Sequence, residues 1–451
     1  MPTISVEQNL IAKLLAQHKL DHDVEQIADE LPLLGTDIDR CDAQTLDIEI
    51  FPNRPDLLSG ETLTRAIRNF VHRQPAKPSI TTTEGKITLN VEPDLAEIRP
   101  VILGAVVRNV DYTSIGVSAD EFIKSLMDHQ EKLHFALGRG RKRASIGVHD
   151  LAKLAPPFTV KAVSGDTKFT PLAATEPMSI KEIMAEHPKG IEYAHLLSEF
   201  DRYPIILDAE NNVLSFPPII NGDHTTVTKE TKDFFIDVTG WDIRACESSL
   251  MLIALQLQEY GGIIETVEVT NCFGATNVYP NGSAVEHKLT IAAIQGLLGG
   301  KLTEEAISEA INRMGGKLVA CDDELITLEM PRWRFDILHP VDLVEDIAIG
   351  HGYEDLGHDI PRSPMTAKPR SDANLLRRVG NSMQGLGMMQ IQSLTLSNDD
   401  DQFNLVRWES VGEVTRITNP ITIDHTLLRQ YLLPGLLRLL STNRHHDLPQ
   451  S

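Results

Sequence analysis

Four carboxylates, Asp336, Asp342, Glu345 and Asp346, fall within the run Asp-Ile-Leu-His-Pro-Val-Asp-Leu-Val-Glu-Asp. Pro340 suits the first turn of a helix, where its missing N–H costs nothing. On a helix that starts there, Asp342, Glu345 and Asp346 stand at i, i+3 and i+4 and share a face. Asp336 precedes them on a segment able to fold back toward that face. Three or four oxygen donors without Cys or His describe a hard-cation site, Mg²⁺ first among them. The same spacing also describes a plain helix start, because carboxylates in the first turn complement the helix dipole.

Two further groups carry candidate chemistry. The run Gly138-Arg-Gly-Arg-Lys-Arg143 sets Arg139, Arg141, Lys142 and Arg143 on a glycine-flexed loop, where they could grip a phosphate backbone. A solvated loop offsetting nearby carboxylates has the same composition. Ser215-Phe-Pro-Pro-Ile-Ile-Asn-Gly222 is followed by Phe235-Ile-Asp-Val-Thr-Gly240, in which Asp237 and Thr239 alternate onto one strand face. Paired strands would gather Ser215, Asn221, Asp237 and Thr239 as the floor of a polar pocket; simple capping of strand ends by Asp and Thr is the plainer reading. No His shows the neighbours of a nucleophilic triad, so hydrolysis here would rest on a positioned water. The chain lacks a Gly-x-x-x-x-Gly-Lys-Ser/Thr loop, a dinucleotide fingerprint and a His-Glu-x-x-His motif.

The elements that must position these residues read as multidomain α+β. Residues 1–75 combine amphipathic helices over 6–19 and 24–31 with an alternating strand over 45–51 and a helix over 60–71 that Ser59 caps. A linker over 73–79, with two prolines, closes that α+β module. Residues 86–265 read as strands over 87–91, 101–107, 145–148, 158–163, 213–220, 234–238 and 263–269, with helices over 118–137, 180–186 and 243–260. Residues 275–365 hold short helices, a hairpin and the acidic segment, a winged-helix-like unit. Pro361, Pro364 and Pro369 mark another linker. Residues 371–451 carry a helix over 374–387, a strand over 390–396 and a last helix over 432–440.

The bulk numbers narrow the function classes. At 451 residues the chain has room for about three domains. A content of 41% hydrophobic and 24% charged residues is that of a globular protein. The net charge of −22 excludes nucleic-acid binding through bulk charge, so any such contact is local or supplied by a partner. Cys41, Cys246, Cys272 and Cys321 are scattered, without a Cys-x-x-Cys pair, and a reducing cytoplasm is the expected setting. No apolar run approaches the ~18 residues of a membrane span.

Several phrases occur together and in order: Asn53-Arg-Pro-Asp-Leu-Leu-Ser59, Ala144-Ser-Ile-Gly-Val-His-Asp-Leu151, Phe216-Pro-Pro-Ile-Ile-Asn221, Phe234-Phe-Ile-Asp-Val-Thr-Gly240, residues 331–353, Asn419-Pro, and Leu428-Arg-Gln-Tyr-Leu-Leu-Pro434. Over nearly the whole chain they resemble the β subunit of phenylalanine–tRNA ligase in its archaeal/eukaryotic form. The resemblance implies an α₂β₂ ligase that attaches L-phenylalanine to tRNA(Phe) with ATP and Mg²⁺, with the aminoacylation site on the α subunit. It implies an editing and tRNA-binding domain over 86–265 that hydrolyses mischarged Tyr-tRNA(Phe). Residues 371–451 would be part of a catalytic-like class II synthetase module built on an antiparallel sheet. Family members continue past Leu-Pro-Gln, so this module is expected to be incomplete here, in a shortened or split form.

By the same resemblance, the Mg²⁺ site falls on Asp336, Asp342, Glu345 and Asp346, shared with the α subunit. The editing pocket falls on Ser215, Asn221, Asp237 and Thr239, and Arg139, Arg141, Lys142 and Arg143 would hold the tRNA end. Editing answers a physical need, because an apolar pocket rejects an added hydroxyl poorly and a second site can select it. The alternative is a scaffold subunit whose pocket is inert.

Overall fold

Ile4 and Val6 alternate in the strand Thr3–Glu7, and Leu46, Ile48 and Ile50 alternate in Thr45–Ile50. The two pair antiparallel, with Ile4 opposite Ile48 and Val6 opposite Leu46. Thr36–Cys41 pairs with the other edge of Thr45–Ile50. The helices Gln8–Ala16 and Gly60–Phe70 add Ile11, Leu15, Leu63, Ile67 and Phe70 to the same core. Ser59 caps the second helix by accepting from the Thr62 N–H at 3.1 Å, a cap worth about 1 kcal/mol. The computed structural model describes residues 2–322, 324–357 and 367–447, in two compact units, 1–359 and 360–451.

A ten-stranded sheet dominates the first unit. Its order is Ile220–Asn221, Val213–Phe216, Arg202–Leu207, Phe158–Ser164, Thr88–Val91, Ile263–Thr270, Val101–Arg108, Phe234–Gly240 and Ala144–Asp150, with Thr276–Tyr279 beside Ile263–Thr270. Thr88–Val91 pairs in parallel with both of its neighbours; the other pairs are antiparallel. Residues opposite one another in an antiparallel pair point to the same face. Phe234, Ile236, Val238, Ile146 and Val148 therefore share one face, where they join a core with the helices Ala119–Phe135 and Ile243–Gln258. Phe235, Asp237 and Thr239 occupy the other, opposite His149, Gly147 and Ser145. That face meets a second core, built on Phe235, Phe158, Phe216, Ile180 and Ile183.

Two readings of the sequence are corrected here. The single strand expected over 213–220 is two, because Pro217-Pro218 brings no backbone donors and the chain turns there. Val213–Phe216 and Ile220–Asn221 form a hairpin with Ser215 opposite Asn221. The strand Arg202–Leu207, not foreseen, completes the connection to Phe158–Ser164.

Within the first unit, residues 285–357 build their own core. Val285–Thr290, Leu325–Met330 and Lys317–Cys321 form an antiparallel sheet with Leu325–Met330 central. The helices Ile291–Leu298, Glu304–Arg313 and Pro340–His351 contribute Ile294, Ile307, Ile311, Leu343 and Ile347. The core around Leu46 and Ile48 also contains Phe122, Val238 and Leu252, so residues 1–71 and the main sheet pack as one body.

The second unit contains the helices Ala373–Gly385 and Leu433–Thr442 and a short pair of strands, Leu396–Ser397 with Leu427–Leu428. The strand expected over 390–396 reduces to Leu396–Ser397. Leu375, Leu376, Val379 and Met383 of the first of these helices are exposed. No helix among the described residues is long and apolar enough to cross a membrane.

Candidate functional site

The pairing of Phe234–Gly240 with Ala144–Asp150 sets Asp237 opposite Gly147, with His149 two residues further along. Asp237 Oδ2 lies 2.7 Å from His149 Nε2, and His149 Nδ1 lies 2.8 Å from Thr225 Oγ1. The Thr225 hydroxyl donates to the Gly222 carbonyl at 2.9 Å. His149 is 0% exposed and Asp237 1%. A Cβ on Gly147 would sit 2.0 Å from Asp237 Oδ2 and 2.8 Å from His149 Nε2, so the pair depends on glycine beneath it.

Thr239 Oγ1 accepts from Arg99 Nε at 2.7 Å, and Arg99 Nη2 donates to the carbonyls of Thr239 and Arg141 at 2.7 and 3.0 Å. Burial lowers the Arg99 pKa to about 10, against the opposing charge of Asp237. Ser215 Oγ donates to Asn221 Oδ1 at 3.3 Å across the hairpin. The four sequence candidates thus form two groups, Asp237 with Thr239 and Ser215 with Asn221. Arg141 joins them: its carbonyl receives Arg99, and its guanidinium holds the Pro218 and Ile219 carbonyls at 3.2 and 2.9 Å. The arrangement offers a buried carboxylate of fixed orientation on the same strand face as Thr239, able to accept a hydrogen bond from a water or a hydroxyl.

Sequence reasoning missed His149, Thr225 and Arg99. Period-two alternation already placed Ser145, Gly147 and His149 on one face. Nothing in the sequence pairs that strand with one carrying Asp237, 88 residues away.

The basic loop is divided in its commitments. Arg139, Gly140 and Arg141 all have positive φ, at 47°, 63° and 66°. This left-handed run lets the Gly140 N–H reach the His134 carbonyl at 2.9 Å and close the helix Ala119–Phe135. Arg141 is buried, paired with Glu131 at 2.6 Å and stacked over Tyr193 at 4.3 Å. Arg143 pairs with Asp242. Arg139 and Lys142 are exposed. Two of the four expected phosphate contacts therefore serve internal carbonyls and carboxylates instead.

The acidic segment forms the expected helix, Pro340–His351, with Pro340 in the first turn and a capping box between His339 and Asp342. Asp342 Oδ2 accepts the Leu338 and His339 N–H groups at 2.7 and 2.6 Å. Asp336 and Asp346 converge on Arg334: its Nη2 lies 2.6 Å from Asp336 Oδ2 and 2.8 and 2.9 Å from the two Asp346 oxygens. Arg334 also donates to the Met314 carbonyl at 3.1 Å. Although burial opposes it, the two carboxylates hold the Arg334 pKa well above its ordinary value. Burial pushes Asp346 up, whereas at Asp336 the Arg334 charge overcomes burial and holds the carboxyl below its ordinary range. Glu345 is exposed.

The four carboxylates thus do not form a cation cradle by themselves: two share a guanidinium and a third caps its own helix. Among the described residues, no group of three or more His, Cys, Asp or Glu is placed to hold a metal ion. The donor set of this chain alone does not fit Mg²⁺.

Three family models match the chain: the tRNA synthetase B5 domain over 287–353, the phenylalanyl tRNA synthetase beta chain CLM domain over 357–451, and the B3/4 domain over 104–256. The chain is 41% identical over 450 residues to the phenylalanine–tRNA ligase beta subunit of Methanosarcina acetivorans, covering 100% of this chain and 80% of that one. It is 37% identical over 454 residues to the corresponding subunit of Archaeoglobus fulgidus, again covering 100% and 80%. Among solved structures it resembles an N-terminal fragment of the phenylalanyl-tRNA synthetase beta subunit from Pyrococcus horikoshii. The TM-score is 0.71 and the identity 30%, covering 78% of this chain and 100% of the fragment.

Proposed function

The chain belongs to the phenylalanine–tRNA ligase β-subunit family, of the archaeal type, and from that premise we propose that it hydrolyses mischarged Tyr-tRNA(Phe) in the pocket around Asp237. In this reading it also supports tRNA binding and assembly with an α subunit, in an α₂β₂ enzyme whose aminoacylation site lies on α. The observation that carries it is the buried Asp237 carboxylate, fixed by His149 on the strand that carries Thr239. Arg99 joins Thr239 to the Arg141 carbonyl, and the Arg141 guanidinium holds the Pro218 and Ile219 carbonyls of the hairpin that pairs Ser215 with Asn221. Asp237 directs the attacking water, and the neighbouring polar groups recognise the phenol that phenylalanine lacks. Arg139 and Lys142, exposed on the basic loop, hold the tRNA end. The editing domain is assigned to 86–265, the winged-helix-like unit to 275–365, and the class II synthetase-like module to 371–451.

Exposed Leu375, Leu376, Val379 and Met383 support an association surface for an α subunit. Magnesium enters this reading only as an ion held jointly with that subunit. Asp342 and Glu345 would be the contributors from this chain, since Asp336 and Asp346 are spent on Arg334. No step of the hydrolysis runs through it.

The test is deacylation of Tyr-tRNA(Phe) by the chain reconstituted with an α subunit. Asp237→Ala should lower the rate by about 10²-fold or more. Unchanged hydrolysis in Asp237→Ala would remove the role given to Asp237. A wild-type complex that leaves Tyr-tRNA(Phe) intact but still charges phenylalanine would make the pocket inert and the subunit a scaffold.

A further inference from the structure

A cavity of about 410 Å³ lies in the first unit, lined by residues of the helices Gly60–Phe70 and Ile243–Gln258, of the segment 74–81 and of 331–334. It is separate from the pocket proposed for hydrolysis, since Asp237, His149, Ser215 and Asn221 do not line it. Among the described residues, six cations do: Arg54, Arg65, Arg68, Lys77, Arg313 and Arg334. Two carboxylates, Asp56 and Glu259, stand with them.

Three of these cations are fully answered. Arg334 is spent on Asp336, Asp346 and the Met314 carbonyl. Arg313 donates to the Phe70 and Gly350 carbonyls at 3.1 and 2.9 Å and to Glu30 at 3.4 Å. Arg68 closes on both Glu259 oxygens at 2.6 and 2.8 Å. The other three keep donors to spare. Arg65 bonds the already shared Glu259 at 3.0 Å, and its guanidinium lies over Trp333 at 5.3 Å. Lys77 is exposed and makes no ion pair among the described residues. Arg54 grips Asp56 through Nε and Nη2, each at 2.9 Å, while its buried Nη1 has no hydrogen-bond partner.

The local field points the same way. His18 also lines the cavity, and burial together with the charges of Arg68, Arg65 and Lys77 lowers its pKa against the pull of Glu259. Burial lowers Arg65 as well, even with Glu259 beside it. An anion in the cavity would relieve both.

We propose that this cavity binds a small phosphate monoester, with the phosphoryl group on Arg65 and Lys77 and the organic part against the apolar wall. A phosphoryl group carries nearly two negative charges on three acceptor oxygens, which suits donors arriving from separate segments better than a carboxylate does. The volume falls within the ~300–1,000 Å³ of sites for small organic molecules. Leu34, Ile80, Leu252, Leu255 and Trp333 supply the apolar lining that an organic part needs. The proposal does not depend on hydrolysis at Asp237.

Isothermal titration of the full chain tests it, without an α subunit and in phosphate-free buffer. The probes are AMP, adenosine and inorganic phosphate. AMP should bind about tenfold or more tightly than inorganic phosphate, through added apolar burial, and about tenfold or more tightly than adenosine. Lys77→Glu should weaken AMP about tenfold while leaving the urea midpoint unchanged, because the position is exposed and outside any ion pair. Arg65→Met should weaken AMP at least as much, and there Arg68 still answers Glu259. Failure of both AMP and inorganic phosphate to bind at millimolar concentration overturns the proposal, as does equal affinity for AMP and adenosine. AMP no tighter than inorganic phosphate overturns the organic part. Undiminished AMP binding in both variants places AMP outside the cavity and overturns the assignment.

Discussion

Asp237 and Asp346 are both buried carboxylates, 1% and 3% exposed, yet their partners differ in kind. Asp346 shares Arg334 with Asp336, close to a second buried pair, Arg54 with Asp56 at 2.9 Å. Asp237 faces an imidazole. A guanidinium stays charged under all ordinary conditions and presents fixed donors, so it locks geometry. An imidazole can gain or lose a proton near neutrality, so it can take part in chemistry. The acidic helix start is therefore a joint locked by a fixed charge, whereas Asp237 is oriented by a ring that also reaches Thr225.

The sharpest way to break this contrast is to remove each partner and compare stability with activity. Arg334→Met strands the buried Asp346 and the half-buried Asp336 and should cost about 3–5 kcal/mol, read as a lower urea midpoint for the first unit. Hydrolysis measured on the fraction that remains folded should be unchanged. If Arg334→Met unfolds at the wild-type midpoint, the joint is not holding the fold and the contrast fails.

A smaller effect should follow acidification. Glu259 is buried and bonded by Arg68 at 2.6 and 2.8 Å and by Arg65 at 3.0 Å. Burial alone would raise its pKa, but the two arginines win and hold it below its ordinary 4.5. A carboxyl lowered in the folded state stabilises fully above its unfolded value, and the contribution disappears as pH falls through the folded value. Asp336 has the same sign, whereas Asp346, raised by burial, has the opposite one. The Arg334 joint therefore partly cancels itself, whereas Glu259 and Glu131, the latter held at about 2 by His134 and Arg141, add with the same sign. The urea midpoint should drop as pH falls below 4.5, and Glu259→Gln should flatten that slope while lowering stability at neutral pH. An equal slope in Glu259→Gln would move the acid sensitivity elsewhere.

The same contrast explains what the sequence made legible. Asp336, Asp342, Glu345 and Asp346 lie close together in the chain, so their helix, its Pro340 start and their shared spacing could be read directly. Spacing could not reveal that Arg334, two residues before Asp336, takes the place a cation would fill. Asp237 and Thr239 could be placed on one strand face from alternation, but their partners could not, because strand pairing joins distant segments and leaves no local trace. The basic loop shows the same limit. Four cations within five residues look alike in sequence, and only the fold decides that Arg141 turns inward to hold a proline-rich hairpin while Lys142 stays in solvent. The strand over 390–396 failed for another reason: alternation over seven residues marks a strand only where a neighbour exists to pair with it, and here just Leu396–Ser397 finds one.

The least perturbing test concerns the two acidic side chains that Arg334 leaves unclaimed. Asp342 receives two backbone N–H groups, and Asn at that position would still offer an oxygen to them. Glu345 is exposed, so Gln there loses little. The pair Asp342→Asn and Glu345→Gln should therefore change the stability of the chain by less than about 1 kcal/mol. Joint cation binding with an α subunit would instead make the double substitution weaken assembly about tenfold or more in Mg²⁺-containing buffer, with no difference between variant and wild type once the ion is chelated. Loss of folding in step with loss of assembly would place these carboxylates beside Asp336 and Asp346 as parts of the joint. Unaltered assembly in Mg²⁺ would leave the helix start with its capping role alone.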